Sequence, residues 1–133
     1  MMSNVMQDGY LRVTTGTGKH KLELSGFDTG EGVVAYLIGG ELPHVGGVVL
    51  ATPRLSISGS GDTSCDIYSI PVTGHLDNEL GAHVAKELCR NLQVPISITS
   101  GIHVDNATEN DLRLILENGH TIVQHFLKLL QQE

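Results

Sequence analysis

The sequence predicts an α+β fold, a two-layer sandwich in which a mostly antiparallel sheet of about six strands is backed by two C-terminal helices. Two observations predict it. In the first half of the chain, apolar residues alternate with polar ones or form short continuous runs, as they do in strands. In the second half they recur about every four residues in two stretches, as on one face of a helix. A sheet and two helices of this kind bury one shared core.

Five strands are predicted before the first helix. They cover residues 10–15, 21–25, 33–38, 47–51 and 65–72. The first two alternate with a period of two and are joined by a hairpin at residues 16–19, whereas the third and fourth are continuous apolar runs. Because the strands follow one another at short spacing, we expect them to pair as an antiparallel meander.

Two helices and a sixth strand complete the pattern. The first helix is indicated by Leu76, Leu80, Val84, Leu88 and Leu92. Pro95 ends it, a strand follows over 96–99, and Thr108–Asp111 resembles a capping box at the start of a long second helix. Its expected buried residues are Leu112, Ile115, Leu116, Ile122, Val123, Phe126, Leu127 and Leu130. Gly119 interrupts this helix and predicts either a kink or close packing.

Composition narrows the class of protein. A chain of 133 residues with 40% hydrophobic residues predicts a single globular domain over residues 1–133. A net charge of −7 argues against nucleic-acid binding, which needs clustered Lys and Arg. Neither a signal peptide nor an apolar run of about 20 residues is visible, so we expect a cytoplasmic protein without a membrane span. Cys65 and Cys89 fit no metal-binding spacing and are expected to be buried free thiols.

Three histidines lie in short turns that contain glycine. These are His44, His75 and His103, and the last two are each followed by an aspartate two residues later. Glycine lets a backbone approach a ligand closely, and histidine is the commonest metal ligand. The repeated pattern predicts that the three imidazoles converge on one ligand or on a divalent metal such as zinc. The alternative is that they lie in ordinary solvated turns, which favour the same residue types.

Candidate anion ligands follow His44 along the chain. The backbone N–H groups of Gly46 and Gly47 could cradle a phosphate. Arg54, which precedes Ser56, is the best anion ligand in the chain because a guanidinium forms bidentate, charge-assisted hydrogen bonds. The alternative is that Arg54 lies on an edge strand and binds no ligand. Residues 56–64 have the serine- and glycine-rich composition of a flexible loop.

Asp105 is a candidate partner of His103. Residues at i and i+2 share a face in extended chain, so the carboxylate can orient the imidazole. His75 and Asp105 also precede the two predicted helices, whose N-termini would favour an anion at the same place.

Residues 43–54, 74–80 and 101–108 together resemble the prenylated-flavin chaperone family (LpdD-like), small D-type proteins encoded with UbiD-type decarboxylases. The resemblance extends from about Gly39 to the C-terminus. Relatives often have Pro-Gly-His-Lys/Arg-Asp in the second motif, whereas this chain has Thr73 before Gly74 and Leu76 after His75.

The resemblance implies a fold similar to that of proteasome-assembly chaperones and a function without catalysis. The protein would hold prenylated FMN, or FMN, and deliver it to an apo UbiD-type decarboxylase. The implied ligand contacts are His44, Arg54, His75, His103 and Asp105. The alternatives are a small metal-dependent enzyme that uses the three histidines, and an assembly scaffold without a small ligand. An exposed sheet edge in so small a domain also predicts a homodimer.

Overall fold

Seven strands form one sheet in the computed structural model, which describes residues 3–55, 63–72 and 78–132. The strands are β1 (Ser3–Gln7), β2 (Tyr10–Thr15), β3 (Leu22–Asp28), β4 (Val33–Gly40), β5 (Gly47–Leu55), β6 (Thr63–Pro71) and β7 (Ile96–His103), and the helices are α1 (Asn78–Leu92) and α2 (Glu109–Leu130). All neighbouring strands are antiparallel except β4 and β7. The predicted α+β fold is thereby confirmed, with one strand more than expected.

The additional strand is β1, which pairs with β2 through a tight turn. Asp8 and Gly9 occupy this turn with φ angles of 53° and 81°. Asp-Gly is a strong hairpin signal because both central residues of the favoured turn need a positive φ. The turn was therefore readable from the sequence, although the short strand before it was not predicted.

The predicted antiparallel pairing of consecutive strands is correct from β2 to β4 and for β5 with β6, but it is wrong between β4 and β5. The order across the sheet is β1-β2-β3-β4-β7-β5-β6, so β7 separates β4 from β5. Ile96 and Ile98 of β7 are fully buried, which suits a strand with neighbours on both sides and a helix layer above it. Beyond Ala51, β5 has only β6 beside it, and Pro53 is tolerated there because no second ladder needs its missing N–H.

Both helices pack on the same face of the sheet. α1 contacts β5, β6 and β7, α2 contacts β2 and β3, and the two helices contact each other. The largest fully buried side chains are Phe126, Leu11, Leu22, Leu24, Leu37, Leu88, Ile96, Ile98, Ile122, Val13, Val49 and Val84. Gly119 allows the helices to pack closely, since a Cβ there would lie 2.7 Å from Leu80 Cδ1.

The apolar pattern of α2 predicts more buried residues than the structure shows. Leu112 and Leu116 were expected in the core but are 53% and 52% exposed, and Leu127 and Leu130 are only partly buried. Leu112 and Leu116 are four residues apart on the side of α2 that faces a cleft rather than the sheet. Neither described helix is long and apolar enough to cross a membrane.

Candidate functional site

The inserted position of β7 creates the candidate site. Because β4 and β5 flank β7, the segment that connects them must pass close to the C-terminal end of β7. The connection lies so near the strand that a Cβ on Gly101 would collide with the carbonyl oxygen of His44. As a result, the rings of His44 and His103 lie 6.3 Å apart, centroid to centroid, in an edge-to-face arrangement. Two of the three predicted histidines are therefore neighbours.

His103 is held by a short hydrogen-bonded chain. Its Nε2 lies 2.7 Å from Oδ1 of Asp105, the partner that the i, i+2 spacing predicts. The backbone N–H of Asp105 in turn donates to Oε1 of Glu41, and the N–H of Glu41 donates to the carbonyl of His103. The polar ends of these residues are exposed to solvent. The arrangement fixes an imidazole and a carboxylate at the end of β7.

Both helices begin at this end of the sheet. α1 starts at Asn78, whose amide donates to Ser69 Oγ on β6 and accepts from Ser100 Oγ on β7. α2 starts after a capping box in which Thr108 and Asp111 exchange backbone and side-chain hydrogen bonds, as predicted. Their N–H groups and dipoles favour negative charge at helix N-termini.

An apolar cleft of about 470 Å³ opens between the two helix starts and the end of β7. It is lined by Glu79, Leu80, Ile102, His103, Val104, Ala107, Leu112, Ile115 and Leu116. Ligand pockets typically enclose about 300–1,000 Å³ and combine apolar walls with a few polar groups. His103 connects the cleft with the histidine pair, since it lines the cleft and its ring also faces that of His44. None of the lining residues is a lysine or an arginine.

Arg54 does not belong to this site. Gly47, at the start of β5, pairs with Ser100 near the end of β7, whereas Arg54 lies seven residues further along the same strand. Seven residues of extended chain span about 24 Å. The Nε of Arg54 instead donates to Asp66 Oδ1 at 2.7 Å. The structure therefore places Arg54 apart from His44 and His103, and a role for Arg54 in binding a ligand stays a prediction.

The two glycines after His44 have structural contacts of their own. The N–H of Gly46 donates to the carbonyl of Ser100, and a Cβ on Gly47 would collide with the amide of Asn78. Both residues are buried. These contacts explain the glycines by close packing and leave the Gly46 amide engaged within the protein, so they do not favour the predicted phosphate cradle.

Two predicted site residues, Ser56 and His75, lie outside the described residues, as does most of the predicted 56–64 loop. Within residues 3–55, 63–72 and 78–132, no group of three or more His, Cys, Asp or Glu side chains is placed to hold a metal ion. The zinc hypothesis therefore has no support from this part of the chain. Cys65 and Cys89 are buried free thiols, as expected.

Sequence reasoning missed Glu41 and the apolar walls of the cleft. Glu41 gives no local signal because its partner, the Asp105 amide, is 64 residues away. Leu112 and Leu116 did give a signal, since the predicted apolar stripe of α2 is wider than a sheet-facing stripe requires. A stripe of excess width indicates a second apolar surface, which here is the cleft.

Comparison with known proteins identifies the family. A family model described as the prenylated flavin chaperone LpdD-like domain matches residues 16–131. The chain belongs to this family. The match includes every described residue of the candidate site, from Glu41 to Leu116. No curated protein matches the chain significantly.

The fold of this family member is also found in a solved structure of a chaperone complex for yeast 20S proteasome assembly. The similarity covers 98% of this chain and 96% of that chain, with a TM-score of 0.55 and 11% sequence identity. At this identity the likeness concerns the fold alone, and it agrees with the fold that the sequence resemblance implied.

The described residues fit a prenylated flavin in two respects. The cleft has the volume and apolar walls that a ring system needs, and the starts of α1 and α2 lie beside it. The imidazole of His103 offers a hydrogen-bonding group at the edge of the apolar cleft. Prenylated FMN itself supplies the decarboxylation chemistry when it is bound to an enzyme of the UbiD type.

Proposed function

We propose that this protein holds prenylated FMN, or FMN, without turning it over and delivers it to an apo UbiD-type decarboxylase. The observation that carries the proposal is the apolar cleft at the helix starts, within a chain that belongs to a prenylated flavin chaperone family. The isoalloxazine and prenyl groups would lie against Leu80, Leu112 and Leu116.

The polar groups of the site suit a holding role. His103 would donate to or accept from a flavin heteroatom, with Asp105 fixing the ring orientation. His44 would approach the same ligand from the β4–β5 connection. His75, whose motif precedes α1, remains part of the proposed ligand set on the family resemblance.

Delivery requires that the decarboxylase bind the flavin more tightly than this protein does, because transfer must be downhill in free energy. The cleft is open and two of its apolar side chains, Leu112 and Leu116, are half exposed, which favours release over permanent retention. The described residues of the site contain no arginine clamp that would hold a phosphate strongly. These features are those of a carrier rather than an enzyme.

The experiment loads the protein with prenylated FMN, adds an apo-decarboxylase and follows carbon dioxide release. We expect activity to appear faster than with the same amount of free prenylated FMN, and no release when the decarboxylase is omitted. Equal rates from the loaded protein and the free flavin would contradict delivery. Turnover of substrate by the loaded protein alone would contradict the carrier role.

A further inference from the structure

Two histidines face each other across the contact between α1 and α2. Nε2 of His83 on α1 lies 3.4 Å from Nδ1 of His120 on α2. The two rings meet edge to face, with their centroids 4.7 Å apart and their planes at 81°. His83 is partly buried and His120 is exposed, so solvent reaches the pair. Neither histidine lines the cleft in which we place the flavin.

Close packing of the helices brings these two imidazoles together. Gly119, next to His120, allows a side chain of α1 to approach, since a Cβ there would lie 2.7 Å from Leu80 Cδ1. Leu80 precedes His83 by three residues and therefore lies on the same side of α1. Val84, the residue after His83, is fully buried. The packed core therefore fixes the backbone positions from which both imidazoles project.

The distance between the two nitrogens suits a shared metal ion. Zn²⁺ binds imidazole nitrogens at about 2.0–2.1 Å and is usually tetrahedral, so two such nitrogens on one ion lie about 3.3–3.4 Å apart. The observed distance is 3.4 Å. It exceeds the range of about 2.7–3.2 Å for ordinary hydrogen bonds from N–H groups. Binding requires the ring proton of His83 on Nδ1 and that of His120 on Nε2, because both facing nitrogens must offer lone pairs.

The charges around the pair do not oppose a cation. Glu79 and Glu87 lie one helical turn on either side of His83, and Glu117 lies about one turn before His120. The basic groups on the same stretches of the two helices are Lys86, Arg90 and Arg113. These six charges balance, and the whole chain carries a net charge of −7, so a divalent ion meets no net repulsion from them.

We propose that His83 and His120 together bind a divalent transition-metal ion such as Zn²⁺ on the surface of the two helices. Imidazole is a good ligand for zinc, copper and nickel ions. Within the described residues no third His, Cys, Asp or Glu side chain joins the pair. Water therefore completes the coordination, and we expect weaker binding than at a structural zinc site with four protein ligands. This site is separate from the predicted convergence of His44, His75 and His103.

An ion at this position connects the two helical walls of the cleft. Leu80 and Leu116, which line the cleft from α1 and α2, lie about one helical turn before His83 and His120. Metal binding therefore holds the two helices together next to the cleft. This role goes beyond flavin holding and does not depend on it.

Isothermal titration calorimetry with zinc chloride tests the proposal on the wild type, His83→Gln, His120→Gln and His103→Gln, all without an affinity tag. We expect the wild type to bind one Zn²⁺ per chain. His83→Gln and His120→Gln should bind at least about tenfold more weakly, because the second imidazole of a fixed pair acts at a high effective concentration. His103→Gln, the same change at the end of β7, is the matched control and should bind as the wild type does. No binding by the wild type, undiminished binding by His83→Gln or His120→Gln, or loss of binding in His103→Gln would overturn the proposal.

Thermal unfolding with and without Zn²⁺ provides a second measurement. The imidazoles of the two helices meet only in the folded chain, so Zn²⁺ should raise the Tm of the wild type and of His103→Gln but not that of His83→Gln or His120→Gln. Mg²⁺ at the same concentration is the control ion and should leave the Tm unchanged, since it prefers oxygen ligands. An unchanged Tm of the wild type with Zn²⁺, a rise that survives both substitutions, or an equal rise with Mg²⁺ would contradict the proposed site.

Discussion

His103 is the residue on which the candidate site depends. It lines the cleft, faces His44 and is oriented by Asp105, so its replacement should weaken flavin binding without affecting the core. We expect His103→Ala to lower the affinity for prenylated FMN about tenfold, which corresponds to the loss of one hydrogen bond of about 1.4 kcal/mol. Titration of the flavin followed by its absorbance measures this change.

Arg54→Ala is the matched comparison for that variant. Because Arg54 pairs with Asp66 at the far end of β5, we expect its removal to leave flavin affinity within about twofold of wild type. A large loss of affinity in Arg54→Ala, equal to that in His103→Ala, would mean that the flavin phosphate does not lie near the helix starts.

Cys89 illustrates how burial controls reactivity. Its side chain is fully buried, and burial together with a hydrogen bond to Cys65 raises the pKa of the Cys89 thiol to about 12. Because the thiolate is the reactive form, we expect Cys89 not to react quickly with a thiol reagent at about pH 8 while the protein is folded. Rapid labelling of Cys89 in the native protein would show that α1 opens readily.

At the scale of elements, Asn78 fixes the start of α1. Its amide joins β6 and β7, and the Ser100 hydroxyl that donates to it is fully buried. We expect Asn78→Ala to reduce the free energy of unfolding by about 1–3 kcal/mol, since it leaves the buried Ser100 hydroxyl without its partner. Urea denaturation measures the loss. Ser69→Ala removes only the partly buried hydrogen bond between Asn78 and Ser69, so it should reduce the free energy of unfolding by less.

Asp111 makes the start of α2 sensitive to acid. The Thr108 backbone N–H, followed by His20, holds the pKa of the Asp111 carboxyl well below its usual value. A carboxyl with a depressed pKa in the folded state stabilises the protein above its unfolded pKa of about 4 and loses this contribution as the pH falls below it. We therefore expect the wild type to lose more stability than Asp111→Asn on acidification below about pH 4. Parallel curves for the two proteins in thermal unfolding would contradict this.

The sequence predicts those features of the fold that depend on residues close together in the chain. Alternation, apolar runs and the Thr108 capping box are local, and they predict six strands and both helices near their observed positions. The place of β7 between β4 and β5 is decided by pairing between distant residues, and no local pattern encodes it.

At the scale of the whole molecule, the cleft lies on the helix side of the sheet, whereas Val34 lies on the opposite side and is 57% exposed. A substitution on the side away from the cleft should therefore leave flavin binding unchanged. We expect Val34→Lys to bind prenylated FMN as the wild type does, and flavin titration of the variant tests this. Loss of flavin binding in that variant would contradict the placement of the flavin on the helix side.

The most direct test of the central claim is equilibrium binding of prenylated FMN to the wild type, Leu116→Lys and Leu55→Lys. Leu116 lines the cleft, whereas Leu55 is equally apolar, is 78% exposed and lies at the far end of β5. We predict that the wild type and Leu55→Lys bind the flavin with the same affinity and that Leu116→Lys binds at least about tenfold more weakly, because a lysine in the cleft removes the apolar wall that the ring system contacts. Equal affinities for all three proteins, or no binding by the wild type, would contradict the account.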